Sequence, residues 1–224
     1  MRDITILALA ALTVTLVGCG NSGGDETTAA APEDEAATIE SLTENSDRHE
    51  GLFTFFVDRD DGTIRMLIDA ERLGKEYVYV ATIQDAPPIS GQFRGNTGVW
   101  AKNGVVEISR HFNRIEFVEQ NVAFWFDPSN PLSRAADANI SPAVIAVAEI
   151  LAEDEDTGAV LIDAGPVFLG EYFVQLKPSP DPEGNGEPTF DLGSLSDDKT
   201  RFTDWRAYPE NVDLFVEYVY ENPA

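Results

Sequence analysis

The chain has a single cysteine, Cys19, in its 224 residues. Because an intramolecular disulfide needs two thiols, no such cross-link can hold the fold, and the globular part must be stabilised by its own apolar core. The composition permits such a core, since 43% of the residues are hydrophobic and 10% are aromatic. Removal of residues 1–18 would leave 206 residues, which is enough for one domain or two small ones.

The residues before Cys19 have the pattern of an export signal. The segment Ile4–Val17 is apolar apart from three threonines. It is shorter than the ~20 apolar residues that a membrane-spanning helix needs, and it suits the hydrophobic region of a signal peptide. Leu16–Cys19 then matches a lipobox, in which small residues precede an acylated cysteine. We predict that residues 1–18 are a lipoprotein signal peptide and that Cys19 is the lipid attachment site; the alternative is an ordinary signal peptide that contains a cysteine.

The acidic composition limits the partners of the chain, whose formal net charge is −25 at pH 7. Such a surface repels phosphate backbones and anionic lipid headgroups, so we expect no nucleic-acid partner and no basic membrane-binding patch. The predicted link to the membrane is therefore the N-terminal lipid. Gly20 gives no obvious inner-membrane retention signal, which favours an exported protein anchored to the bacterial outer membrane and facing the periplasm.

The segment 19–50 is predicted to be an acylated, acidic and flexible tether. From Asn21 to Glu50 it has nine acidic residues against one basic residue, Arg48. Such a segment has little to bury, and its charges repel one another into extended conformations. The spacing of Ser41 and Glu44 matches a capping box, so one or two helical turns beginning there are the alternative near its end.

From Gly51 onwards the sequence indicates one β-rich domain, residues 51–224. Short runs rich in valine, isoleucine and aromatic residues alternate with turns rich in glycine, proline, aspartate and asparagine. We predict a mainly β fold of antiparallel sheets, packed as a sandwich or as one strongly bent sheet, with one or two short helices. The predicted strand regions are Leu52–Val57, Thr63–Ile68, Glu76–Gln84, Val99–Ala101, Val105–Phe112, Ile115–Phe126, Ala159–Asp163 and Val212–Tyr220.

Turn signals set the predicted pairing of these strands. Asp58–Gly62 predicts a hairpin turn, and Asn103-Gly104 predicts a tight turn between the strands on either side of it. The apolar run Pro142–Ala152 has no clean period and fits a buried helix or a buried strand. The acidic turn Glu153–Gly158 that follows favours a hairpin.

The last predicted strand, Val212–Tyr220, is apolar on both faces. A strand of this kind is expected to have neighbours on each side and cover above and below. We therefore expect it either to insert between strands of its own sheet or to leave apolar surface uncovered near Phe215 and Tyr218, as in a piece of a longer polypeptide.

We predict no catalytic, metal-binding or cofactor-binding residue on this chain. Its two histidines, His49 and His111, lack the spacing of a zinc site. The acidic turn Asp58–Gly62 places its glycine one position too early for an EF-hand loop. The glycine-rich segment Gly91–Gly98 lacks the Lys-Ser/Thr of a phosphate loop.

Two surface features have alternative interpretations. Arg110, His111 and Arg114 form a basic island that could contact an acidic partner or pair with nearby glutamates. The aromatic residues between Trp100 and Trp125 are more typical of a core than of a ligand platform, although exposed members would indicate a partner-facing patch.

Four segments in order resemble the N-terminal region of a family of bacterial zinc-dependent metalloproteases. In that family the first few hundred residues form domains of unknown function, and the proteins are exported and often lipid-anchored. The resemblance extends from about Gly51 to the C-terminus. The matching segments are Gly51–Phe53, Leu73–Val80, Leu161–Ala164 and Tyr208–Val212.

The resemblance implies a non-catalytic domain that supports or shields a downstream protease domain, or engages its substrate. The chemistry of the family lies on a downstream H-E-x-x-H helix, where two histidines bind zinc and the glutamate polarises water. This chain departs from that pattern, because the segment His49–Phe53 begins like the motif but has Phe53 in place of the second ligand. The alternative is a stand-alone binding lipoprotein of the periplasm or outer membrane that recognises a protein or peptide through an edge strand.

Overall fold

The computed structural model describes residues 37–85, 99–124, 127, 129–131, 133, 140–176 and 193–222. These residues form a mainly β fold with two short helices, which confirms the predicted fold class. Helix α1 spans Ile39–Thr43, and helix α2 spans Gly165–Phe168. The strands are β1 Ser46–His49, β2 Thr54–Asp58, β3 Ile64–Ile68, β4 Lys75–Ile83, β5 Val99–His111, β6 Arg114–Glu119, β7 Ala143–Glu153, β8 Val160–Asp163, β9 Ser194–Leu195, β10 Arg201–Tyr208, β11 Asn211–Glu217 and β12 Tyr220–Glu221.

Eight of these strands form one antiparallel sheet in the order β1-β2-β3-β8-β7-β6-β5-β4. Strand β7 joins its two halves. The first part of β7 pairs with β6, from Ala143 to Glu149, and its last part pairs with β8, from Ile150 to Glu153. The predicted hairpins β2–β3 and β7–β8 are confirmed, because the two strands of each pair antiparallel to one another. Each hairpin has a glycine-containing acidic turn between two apolar runs.

The sheet curls so that residues from both halves line a single core. Phe55 and Met66 of one half belong to the same buried cluster as Ile108 and Phe117 of the other. The rings of Phe53, next to β2, and Tyr77, on β4, lie 5.1 Å apart. Since β2 and β4 lie near opposite edges of the sheet, this contact requires the strongly bent form of the predicted architecture.

Helix α1 covers the outer face of the half that contains β2, β3 and β8. Ile39 and Leu42 of the helix pack on Phe56 and Leu161, which are 7% and 0% exposed. The helix begins earlier than predicted, because Thr38 caps it. The Thr38 Oγ1 accepts from the Ser41 N–H at 3.1 Å, and the Ser41 Oγ accepts from the Thr38 N–H at 3.0 Å.

The described structure therefore includes the last part of the segment assigned to the tether. Helix α1 and strand β1 both lie before Gly51 in the sequence. Strand β1 pairs with β2 and forms one edge of the sheet. The tether assignment can hold only for residues before Ala37, which lie outside the described residues.

Strands β10 and β11 form a separate hairpin that docks on the residues before β2. The Leu52 N–H donates to the Tyr208 carbonyl at 2.6 Å. A Cβ on Gly51 would lie 2.8 Å from the Tyr208 backbone, so only glycine fits this approach. Of the two alternatives for the last strand, insertion between strands of its sheet is wrong, because β11 pairs with β10 alone among the described residues and its other edge has no partner strand there.

The predicted turn at Asn103-Gly104 is also wrong, because β5 runs through it as one strand. Gly104 serves close packing instead of a turn. A Cβ there would lie 2.7 Å from Cε1 of Tyr79 and 2.9 Å from Oε1 of Glu119. The hairpin turn lies further on, at Phe112, whose φ is +55°. The side chain of Phe112 is 82% exposed at this turn.

Candidate interaction surface

The structure places the two histidines, whose spacing in the sequence does not fit a zinc site, in different surroundings. His49 lies at the end of β1 with its ring edge-on to Trp205, at 5.5 Å between centroids. His111 lies exposed at the end of β5, with its ring against Phe112. Within the described ranges, no three His, Cys, Asp or Glu residues are grouped so that they could hold a metal ion. Cys19 and the segment Gly91–Gly98 lie outside the described residues.

The aspartates of the acidic turns accept hydrogen bonds from nearby backbone N–H groups. The Asp61 carboxylate accepts from the Thr63 N–H at 2.8 Å, and this bond lowers the pKa of Asp61 below its usual value. Asp154 accepts from the N–H groups of Asp156 and Thr157 at 3.0 and 2.9 Å. These carboxylates stabilise turns, as aspartate often does.

The arginines of the predicted basic island are neutralised by glutamates. Arg110 donates two hydrogen bonds to Glu153, at 2.6 and 2.8 Å. Arg114 forms an ion pair with Glu116 at 2.6 Å. Of the two interpretations of the island, pairing with nearby glutamates accounts for its arginines.

A polar cluster of three residues lies on the inner face of β4, β5 and β6. The Tyr79 hydroxyl donates to Glu119 at 2.7 Å, and the Lys102 ammonium donates to the other oxygen of the same carboxylate at 2.9 Å. Burial opposes ionisation of Glu119, but the two hydrogen bonds outweigh it and lower the pKa of the carboxyl. Burial raises the pKa of the Tyr79 hydroxyl.

Aromatic residues from the segment after α2 close this inner face. Phe173 contacts the rings of Tyr79 and Phe117 at 5.2 and 6.0 Å. Tyr218 donates to the carbonyls of Phe168 and Gly170, and burial raises the pKa of its hydroxyl to about 12. The expected uncovered surface at Tyr218 is therefore wrong, because its hydroxyl is bonded and half-buried.

The outer face of β4–β7 carries an apolar surface that none of the described helices covers. Val78 pairs with Val105, and Val118 pairs with Val144, so valines run across all four strands. Val78 is 78% exposed, and Val80 and Val144 are each 53% exposed. We call Val78, Val80, Val105, Val118, Val144 and Val147 the valine face.

Acidic side chains border the valine face. Glu76 on β4 stands directly opposite Glu107 on β5. Like charges in this position destabilise a sheet. Glu107 accepts a hydrogen bond from Gln120 at 3.1 Å, but in the described part of the chain neither glutamate has a cationic partner.

Strand β4 also presents a free edge beside the valine face. Among the described residues it pairs with β5 alone, along nine residues. Its outer edge therefore carries backbone N–H and C=O groups that another strand can pair with.

The alternation of Val78 and Val80 with Tyr77 and Tyr79 along β4 is visible in the sequence. Which of the two faces is buried depends on contacts with distant strands, and the sequence pattern alone does not show it.

The fold places three of the four segments named for the expected resemblance in contact. Gly51–Phe53 contacts Tyr208 through its backbone and Tyr77 through the ring of Phe53. The Ala164 N–H donates to the Ile64 carbonyl at 2.9 Å. Gly51–Phe53 thus contacts two of the other three segments, and these contacts are structural.

Comparison with known protein families, characterised proteins and solved structures finds nothing that matches this chain. No helix within the described ranges is long and apolar enough to cross a membrane.

Proposed function

We propose that this chain is a lipid-anchored, non-catalytic binding domain that engages another polypeptide through the valine face and the free edge of β4. The observation that carries the proposal is the exposure of Val78 and Val80 beside an edge of β4 with which no described strand pairs. Exposed contiguous apolar patches on otherwise polar surfaces are typical of interaction sites. An extended polypeptide can use both features at once, because its backbone pairs with β4 while its side chains meet the valines.

The family resemblance suggests what this polypeptide is. In the first form of the proposal it is a downstream zinc-protease domain, or a substrate of that domain, held close to the outer membrane by the lipid on Cys19. In the alternative form the chain acts alone as a binding lipoprotein. Sequencing of the reading frame after residue 224 separates the two forms, because an H-E-x-x-H motif there supports the first.

The anchoring part of the proposal is tested at Cys19. We expect Cys19→Ala to abolish labelling with a radioactive fatty acid and to leave the protein uncleaved or release it from the membrane fraction. Normal cleavage together with unchanged membrane fractionation would contradict lipid anchoring.

The binding part is tested with an array of immobilised 12-residue peptides of varied sequence, probed with the mature chain. We expect a subset of peptides to bind the wild type and to be lost in Val78→Asn. The matched control is Val122→Asn, because Val122 is also 65% exposed but lies in the loop after β6. Equal binding by the two variants would contradict the proposal.

The absence of catalysis on this chain is tested separately. We expect the purified mature chain, dialysed against a zinc buffer, to retain far less than one zinc per molecule and to leave casein intact. Stoichiometric zinc with proteolysis would overturn this part of the proposal.

A further inference from the structure

We propose that the partner of β4 is an extended segment with alternating apolar and basic residues, which adds a ninth strand to the sheet. This inference rests on the proposed function and names the chemistry of the partner. It follows from the side chains that β4 presents on the outer face. These are Glu76, Val78, Val80 and Thr82, at every second position.

An added strand would place its own outward side chains beside those of β4. Apolar side chains would cover Val78 and Val80, which are among the most exposed apolar residues of the sheet. A lysine or arginine two positions along the partner would come beside Glu76. The alternation of apolar and charged residues on β4 therefore predicts the complementary alternation on the partner.

The charge of the partner follows from the pair of Glu76 and Glu107. The two carboxylates face each other across β4 and β5 without a cation from the described residues. Lys75, the residue before Glu76, points to the other face by strand alternation. A basic side chain on an added strand would pair with Glu76 and offset part of the repulsion between the two carboxylates.

Three acids on neighbouring strands have a cationic partner. Glu116 has Arg114, Glu119 has Lys102, and Glu153 has Arg110. Glu76 on the edge strand and Glu107 on the strand beside it have no such partner among the described residues. A second copy of this chain would bring the same acids to the edge, and the net charge of −25 opposes its approach. Charge complementarity thus favours a basic segment of a different polypeptide.

The experiment compares two synthetic peptides by fluorescence anisotropy with the full mature chain. One peptide alternates valine and lysine over ten residues, and the other has glutamate in place of each lysine. We expect the lysine peptide to bind at least about tenfold more tightly, with affinity that falls as salt is added. Hydrogen exchange should show new protection at the amides of β4.

A charge swap separates this site from general attraction to an acidic protein. The double variant Glu76→Lys with Glu107→Lys should lose the preference for the lysine peptide. The matched control is Glu155→Lys with Asp156→Lys, which makes the same change in net charge in the exposed β7–β8 turn and should keep the preference. If the swapped variant does not fold, Glu76→Gln takes its place and should lower the preference in the same direction.

The outcomes distinguish the inference from the proposed function. If both peptides protect β4 equally, the edge binds polypeptide and the basic partner is wrong. If the lysine peptide binds but the swap and its control behave alike, the attraction is nonspecific and the inference is overturned. If β4 gains no protection from either of these peptides and the array also shows no dependence on Val78, the proposed function fails as well.

Discussion

The two halves of the sheet both have an apolar outer face, but within the part of the chain that the structure describes a helix covers only one of them. Under α1, Phe56 and Leu161 are almost completely buried, whereas Val78 on the other half is 78% exposed. Both halves contribute to one core on the inner face. The difference teaches that an apolar outer face is structural where the chain supplies a helix to cover it and becomes a candidate binding surface where it does not.

This contrast has an energetic consequence. Burial of a leucine or valine side chain contributes about 1.5–3 kcal/mol to the free energy of unfolding. The covered half gains this contribution in the folded chain itself. On the open half the same contribution becomes available only when a partner removes the valines from water. Substitutions should therefore affect stability in one half and binding in the other.

The largest expected effect on the free energy of unfolding is at Leu161, which is fully buried beneath α1. We expect Leu161→Ala to lower the free energy of unfolding by about 2–5 kcal/mol, because it removes buried methyl groups and leaves a cavity. Denaturant unfolding of both chains measures this loss. The control is Val78→Ala, which should change stability by less than about 0.5 kcal/mol because the side chain is already exposed. Equal losses in the two variants would break the distinction between the halves.

A smaller loss is expected at Gly104, on the inner face of the open half. Gly104→Ala should lower the free energy of unfolding by about 1–3 kcal/mol, because the new methyl group overlaps Tyr79 and Glu119. Asn103→Ala, at the neighbouring exposed position, should have little effect in the same thermal unfolding measurement. If Gly104→Ala leaves the free energy of unfolding unchanged, the inner face of the open half is loosely packed.

The cap of α1 offers a way to convert the covered half into an open one. Thr38→Ala should lower the free energy of unfolding by about 1 kcal/mol, because the N–H of Ser41 loses its acceptor. Thr38→Ser keeps the acceptor and is the control. Hydrogen exchange at α1 should rise in the alanine variant alone. If exchange is unchanged, the capping box does not hold the helix on the sheet.

The smallest expected effect is the pH dependence contributed by Glu119. Its pKa is lowered in the folded protein from the usual 4.5, so its stabilising contribution is present above pH 4.5 and is lost as the pH falls through the folded pKa. We expect Glu119→Gln to be less stable than the wild type at pH 7, and the gap to narrow as the pH falls below 4.5. A gap that is constant with pH would show that ionisation of Glu119 makes no contribution.

Local signals in the sequence predicted the parts of the fold that local chemistry controls. The Asp58–Gly62 and Glu153–Gly158 turns each lie between apolar runs, and both hairpins form as expected. The prediction failed at Asn103-Gly104, because the glycine is required there by Tyr79, which comes from another strand. A sequence pattern cannot distinguish a glycine that turns the chain from one that makes room for a distant ring.

The candidate site was predictable only in part. The acidic and apolar residues of β4 are visible in the sequence, as is its alternation. The curl of the sheet decides which face is buried, and that depends on contacts such as Phe53 with Tyr77. The position of α1 decides which outer face is covered, and no local pattern connects Leu42 with Leu161.

The most direct test of the account is the accessibility of individual methyl groups in the free mature chain. A soluble gadolinium chelate, added to methyl-labelled protein, increases the relaxation of methyl protons in proportion to their exposure. We predict strong relaxation at Val78, Val80 and Val144 and almost none at Leu161 and Ala152. A lysine–valine peptide should then protect Val78 and Val80, which lie on the edge strand β4, without changing Leu161 and Ala152. Protection of the valines before any partner is added would contradict the account, because the second outer face would then be covered as well.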